Sequence, residues 1–136
     1  MRVLVDTNVF LDLLLQRGEL CKDAIEFFLW CKKNRHLTYV SSMSMRDIEY
    51  VAMKSLHDKK KANEVLFKVY SICTKIVGVS ADNVINAIFE DYHDFKDELQ
   101  IQVCREILAD AIITNNKKDF ENRGVPIFTP KEVVNL

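Results

Sequence analysis

Four groups of polar residues in this chain have the types and placement for oxygen-based chemistry. Asp6-Thr7-Asn8 follows the apolar run Val3-Leu4-Val5. Ser41-Ser42 follows a second run, with Asp47 beyond it. An acidic group, Glu90, Asp91, Asp94, Asp97 and Glu98, has Lys96 set inside it. Thr114-Asn115-Asn116-Lys117-Lys118-Asp119-Phe120 follows a third apolar run. Carboxylates brought together repel and raise one another's pKa, and a divalent cation removes that cost. Mg2+ and Mn2+ take oxygen ligands, few protein carboxylates and retained waters. One or two such ions polarise a phosphodiester, stabilise the leaving oxygen and lower the pKa of a water.

Other chemistries find no support. The chain has no HExxH, no CxxC and no GxxxxGK[ST], and only 3 glycines, too few for a phosphate-cradling loop. His36, His57 and His93 assemble no Ser-His-Asp arrangement. Each acid also has a local reading. Asp6 at a strand end suits a helix cap. Asp47 lies three residues after Ser44, as in a capping box. Asp94 and Asp97 are related in the same way, and one of them suffices to cap the helix there. Asp119 suits plain solvated surface. Only convergence at one place favours a shared role.

The elements that would bring them together alternate between strand and helix. Strands are expected at Arg2–Asp6, Leu37–Val40, Ile76–Val79, Ala111–Thr114 and, short and at an edge, Pro126–Phe128. Helices are expected at Asn8–Gln16, ended by Gly18, and at Asp23–Asn34, where Ala24, Phe27, Phe28 and Cys31 recur at helical spacing. Further helices cover Ser44–Ser55, Lys60–Thr74, the stretch from an N-cap at Ser80 to about Phe89, and Asp97–Leu108. Thr129-Pro130-Lys131-Glu132 combines a capping box with proline in the first turn and opens a closing helix. Short apolar strands separated by helices imply an α/β fold, a parallel sheet covered on both faces. Ligands of such sheets bind at the carboxyl ends of the strands, near the point where strand order reverses.

Composition agrees with one domain over residues 1–136, with 49% apolar and 29% charged residues and no linker or repeat. Nineteen basic against 20 acidic residues give a net charge of −1, which excludes a strongly basic coat but not a local basic rim. No apolar stretch reaches membrane-spanning length, and Met1-Arg2 leads straight into a strand with no signal-peptide pattern. Cys21, Cys31, Cys73 and Cys104 are scattered and read as reduced, mostly buried thiols of a cytoplasmic protein.

The motifs in order resemble the PIN-domain family, and in particular the VapC-like toxin ribonucleases of toxin–antitoxin systems. Val3-Leu4-Val5-Asp6-Thr7-Asn8 resembles its opening strand and "DTN" acid. Asp94-Phe95-Lys96-Asp97-Glu98-Leu99-Gln100 resembles "DFEDALQ", and Ile112-Ile113-Thr114-Asn115-Asn116-Lys117-Lys118-Asp119-Phe120 resembles "IITRNxxDF". Val125-Pro126-Ile127-Phe128-Thr129-Pro130 matches the family's ending. The resemblance spans nearly the whole chain. It implies a three-layer α/β/α PIN-like fold with a central parallel sheet of four to five strands flanked by helices.

It also implies a metal-dependent endoribonuclease holding Mg2+ or Mn2+ on Asp6, Asp47, Asp97 and Asp119. Asp6 and Asp97 would be direct ligands, with Asp47 and Asp119 acting through water or completing a second site. Asn8, Thr114, Asn116 and Asp94 match auxiliary positions. Two departures stand out. Asp47 replaces the usual glutamate, with Glu49 the alternative, and Asn115 stands where arginine is common. The implied partners are an RNA substrate, a cognate antitoxin and a second copy of the chain. Lys117 and Lys118 beside the acids are candidate RNA contacts, and the Lys54–Lys61 stretch is a further basic group or a solvated face. Phe27-Phe28-Leu29-Trp30 exceeds one narrow stripe, which fits either a wide core-facing surface or a partner-binding one. A PIN fold that binds RNA or protein without cutting is the competing reading. An aspartyl-nucleophile phosphate enzyme or a receiver domain fits less well, since the former wants an acid where Asn8 stands.

Overall fold

A computed structural model describes all 136 residues. Five strands, β1 (Arg2–Val5), β2 (Leu37–Ser41), β3 (Lys75–Val77), β4 (Ala111–Ile113) and β5 (Ile127–Phe128), form one sheet in the order β3-β2-β1-β4-β5. Every pairing is parallel. Seven helices connect or flank them: α1 (Thr7–Leu14), α2 (Gly18–Lys33), α3 (Ser42–Leu56), α4 (Lys59–Ile72), α5 (Ala81–Glu90), α6 (Phe95–Glu106) and α7 (Pro130–Val133).

The two-residue period of a strand sends neighbouring side chains to opposite faces. Val3 and Val5 of β1, Val40 of β2 and Ala111 and Ile113 of β4 turn to one face. There they meet Phe10, Phe27, Ile48, Val65 and Val133, contributed by α1, α2, α3, α4 and α7. Leu4 and Ile112 turn the other way and pack with Ile101, Val103 and Cys104 of α6 and with Phe120. Helix α5 packs on α6 on that side. The result is the expected three-layer α/β/α arrangement. Val3, Leu4 and Val5 are fully buried, so each contributes roughly 1.5–3 kcal/mol through apolar burial. No helix is long and apolar enough to cross a membrane.

Several boundaries differ from expectation, each for a local reason. Helix α2 begins at Gly18 rather than Asp23. Gly18 sits at φ +56°, so it makes the sharp turn between two helices and opens the second as well as closing off the first. The added turn shows Leu20 to solvent, which weakens its periodic signal. Helix α3 begins at Ser42, and its cap is Ser41, whose Oγ accepts from the Ser44 N–H at 3.1 Å. The capping box with Asp47 therefore does not form. Helix α6 begins at Phe95 because the Asp94 carboxylate caps it, accepting from the Asp97 N–H at 3.0 Å. A 3₁₀ turn over Lys117–Phe120, absent from the sequence reading, is anchored by fully buried Phe120. The capping boxes at Ser80 with Asn83 and at Thr129 with Glu132 are present.

Candidate acidic site

Strand order reverses at β1, with β2 on one side and β4 on the other. Because all strands are parallel, Asp6 after β1 and Thr114 after β4 emerge together at one edge. They are joined directly: the Thr114 hydroxyl donates to Asp6 Oδ2 at 2.8 Å. Asn8 Nδ2 donates to the same carboxylate oxygen at 3.0 Å and to Thr114 Oγ1 at 3.1 Å. The Asp6 Oδ1 accepts from the Thr7 N–H at 2.8 Å, so the residue caps α1 as well. The Asn8 Oδ1 accepts from the Asn115 N–H at 3.0 Å, and Thr114 Oγ1 accepts from the Asn116 N–H at 3.0 Å. The two loops are thereby fixed to each other, and the local and functional readings of Asp6 hold together.

Asp97 stands on the first turn of α6, where the helix N-terminus faces the same edge. Burial, then the negative charges of Asp94, Asp119 and Asp6, push its carboxyl up to about 7, against the opposing pull of Lys96. Each of these carboxylates thus acts on Asp97 across the space between the loops. Burial also raises Asp6, although Thr114, the Thr7 N–H, the Gln100 amide and Lys96 all favour its charged form. Asp119 is carried by the 3₁₀ turn; its backbone carbonyl accepts from the Tyr92 hydroxyl at 3.1 Å. Asp94 and Asn116 are exposed, Asp94 as the α6 cap and Asn116 as the residue before the turn.

Asp47 lies on α3 with its side chain 16% exposed and ion-paired to Lys96 Nζ at 2.8 Å. Arg46 Nη1 stands 3.6 Å from its other oxygen. Glu49 points away to Lys59, at 3.5 Å. Between the two alternatives, Asp47 is therefore the one on the side of the acids. Lys117 is held by both carboxylate oxygens of Glu132 at 3.1 Å, while Lys118 is exposed.

Several polar residues to which the sequence reading gave no ligand role are buried or tied inward around these elements. Gln100 is buried three residues after Asp97, on the same face of α6, and its Nε2 donates to Ser44 Oγ at 3.1 Å. Asp12, buried in α1, accepts from Asn115 Nδ2 at 2.7 Å and pairs with Arg17 at 3.5 Å. Asn115 is thus tied inward, in place of the arginine the resemblance led one to expect. Glu98 is fully buried and paired with Arg123, whose guanidinium also lies 4.8 Å from the Tyr92 ring centre. The available signals were the helical spacing from Asp97 to Gln100 and a charge, Asp12, inside an apolar run.

The donor set fits a hard cation: oxygen atoms only, partly shielded from solvent, with mutual repulsion to relieve. No three His, Cys, Asp or Glu side chains are grouped closely enough to hold an ion by themselves. An ion here would take one or two carboxylates and keep several waters, the coordination Mg2+ prefers.

Comparison with known proteins supplies the wider context. A family model described as PIN domain matches residues 2–118. No curated protein sequence gives a significant match. Among solved structures, VapBC2 from Rickettsia felis bound to a DNA fragment from their promoter superposes with a TM-score of 0.72 at 18% identity, over 94% of this chain and 97% of that one. A toxin-antitoxin complex from Klebsiella pneumoniae gives 0.65 at 22% identity, over 96% and 98%. VapC20 of Mycobacterium tuberculosis, a sarcin-ricin loop cleaving toxin, gives 0.63 at 17% identity, over 81% and 86%.

Proposed function

Since this chain belongs to the PIN-domain family, we propose that it is a Mg2+- or Mn2+-dependent endoribonuclease and the toxin of a toxin–antitoxin pair. What supports this reading is the network of Asn8 and Thr114 around the Asp6 carboxylate at the edge where strand order reverses, with Asp97 on the first turn of α6. Asp6, Asp97 and Asp119 are the residues that would hold the ion, directly or through water, and Asp47 joins them through Lys96. When bound, such an ion supplies Lewis acidity to a phosphodiester and makes water a better nucleophile.

The chain's own residues do the positioning. Asn8 and Thr114 each donate a hydrogen bond to the Asp6 carboxylate, and a third bond, from Asn8 to Thr114, braces the pair. Gln100 ties α6 to the α3 cap region through Ser44, which sets Asp97 relative to Asp47. Exposed Lys118, with Lys96 at the rim, suits phosphate contacts that hold an RNA strand without reading its sequence. Hydrolysis forms a new bond from water oxygen to phosphorus and breaks the bond from phosphorus to O3′. The products are a 3′-hydroxyl and a 5′-phosphate.

A cognate antitoxin and a second copy of the chain are the proposed protein partners, as toxin–antitoxin complexes of closely matching length share the fold. Exposed Phe67 and Tyr70 on α4 and Ile88 and Phe89 on α5 offer apolar surface for such contacts.

The test is RNA cleavage with Mg2+, Mn2+ or a chelator, comparing the wild type with Asp6→Ala and Asp97→Asn. Loss of metal-dependent cleavage in both variants, with the fold retained, supports the reading. Cleavage that persists in both overturns it. The Lys96–Asp47 pair favours one competitor, a PIN fold that binds RNA or protein without cutting, because a cation of the chain's own is already engaged with the acids. RNA binding without cleavage by the folded wild type, at millimolar metal, would select that competitor.

A further inference from the structure

Lys96 stands out among the charged residues of the molecule because a cation reaches from the helix that carries Asp97 to an acid on α3. Its ammonium is 2.8 Å from Asp47 Oδ2. Asp47 has no competing hydrogen bond; its other oxygen faces Arg46 at 3.6 Å. Both Asp47 oxygens are therefore turned to side-chain cations, although Asp47 itself is largely shielded, while Lys96 reaches in from a position 56% exposed.

Charge accounting gives this geometry a consequence. Asp6, Asp47, Asp94, Asp97 and Asp119 bring five carboxyl groups to the edge, and Lys96 and Arg46 bring two side-chain cations. With one divalent cation the positive total is four, against five once the ion holds Asp97 ionised, which leaves a slight negative excess. A second divalent ion would raise the positive total to six, beyond what the acids balance, and would have to stand against the ammonium at short range. Like charges a few ångströms apart in a partly desolvated site repel strongly, and a divalent ion against an ammonium doubles the repulsion of two unit charges.

We infer that Lys96 acts as the chain's own second cation, so that the acidic site binds a single divalent ion and Asp47 serves as the anchor of Lys96 instead of a metal ligand. This rests on the metal-dependent reading above and specifies the number of ions and the task of two residues. Asp47 is thus a positioning residue. It holds Lys96 across the gap between α3 and α6, and Lys96 supplies positive charge where a second ion would otherwise sit.

The experiment counts bound Mn2+ by titration, read by electron paramagnetic resonance and calorimetry, with folding checked by circular dichroism. Wild type is expected to bind one Mn2+ per chain. Lys96→Gln frees Asp47 and is expected to bind two, and the double variant Lys96→Gln/Asp47→Asn returns to one. Asp97→Asn is expected to lower the affinity for the first ion tenfold or more. Two ions in the wild type, or one ion in Lys96→Gln, would overturn the inference and leave the metal-dependent reading standing. A folded wild type that binds no Mn2+ at millimolar concentration would overturn both. Lys96→Met serves as a second variant should the Lys96→Gln protein fold poorly, and the same two-ion outcome is expected of it.

Discussion

Thr114 and Asp6, 108 residues apart in the chain, are joined by a 2.8 Å hydrogen bond from the threonine hydroxyl to Oδ2 of the carboxylate. That bond closes the seam between β1 and β4 at the tip where the acids gather. Asn8 reinforces it from the first turn of α1. Groups that orient a ligand without being one commonly cost 10–100-fold in metal affinity or activity when removed. Asn8→Ala and Thr114→Val are expected to lower Mn2+ affinity by about that range. Calorimetric titration checks it; an affinity unchanged in both would mean that the Asp6 carboxylate needs no outside support.

Metal should stabilise the folded chain, because only the folded state gathers the acids. At a concentration 100 times the dissociation constant the gain is about 2.7 kcal/mol, on the order of 9 °C in melting temperature for a domain of this size. Asp97→Asn is expected to act in two opposite ways. It removes a carboxyl crowded by Asp94, Asp119 and Asp6, so the metal-free variant should melt higher than wild type. It also removes a ligand, so the rise on adding Mn2+ should shrink. Paired melts with and without Mn2+ read both effects.

The raised Asp97 carboxyl sets a pH dependence. Its folded pKa is about 7, against an ordinary value of 3.8. Between those values the folded chain keeps a proton that the unfolded chain has released, so stability falls as pH rises through that window and levels off above it. Raised Asp6 adds a contribution of the same sign. Asp97→Asn should flatten the slope between about pH 4 and pH 7, and saturating Mn2+ should reverse it, since the ion binds the ionised form. Urea melts at several pH values test this; a wild-type slope identical to that of Asp97→Asn would remove Asp97 as its source.

Arg123 is the partner of Glu98, whose side chain is fully buried. Removing only the arginine strands a buried carboxylate, and breaking such a pair costs about 3–5 kcal/mol. Arg123→Met is expected to destabilise by about that amount in urea unfolding. The double variant Glu98→Leu/Arg123→Met, which takes away both charges, should recover much of the loss. A single variant as stable as wild type would show that Glu98 is not held by this pair.

Local chemistry explains what could be read from the letters. Val3-Leu4-Val5 and Ile112-Ile113 announce buried parallel strands by their unbroken apolar character. Ser80 and Thr129 announce helix starts through capping boxes complete within four residues. Ser41 and Ser44 show where this stops working. Both have capping chemistry, and the depth to which β2 runs before α3 begins decides between them. The placement of Asp6 after β1 and of Asp97 on the first turn of α6 was legible because strand ends and helix starts of a parallel sheet share an edge. Lys96 among them, Gln100 beneath them and the inward tie from Asn115 to Asp12 depend on side-chain reach across elements far apart in sequence. No short-range pattern encodes that reach.

The clasp between Lys117 and Glu132 gives the tail of the chain a hold on the turn that carries Asp119. Lys117 begins the turn that carries Asp119, and Val133, next to Glu132, is locked into the interior. Anything that pries α7 loose, such as a truncation or a tightly fused affinity handle, would therefore disturb the acids indirectly.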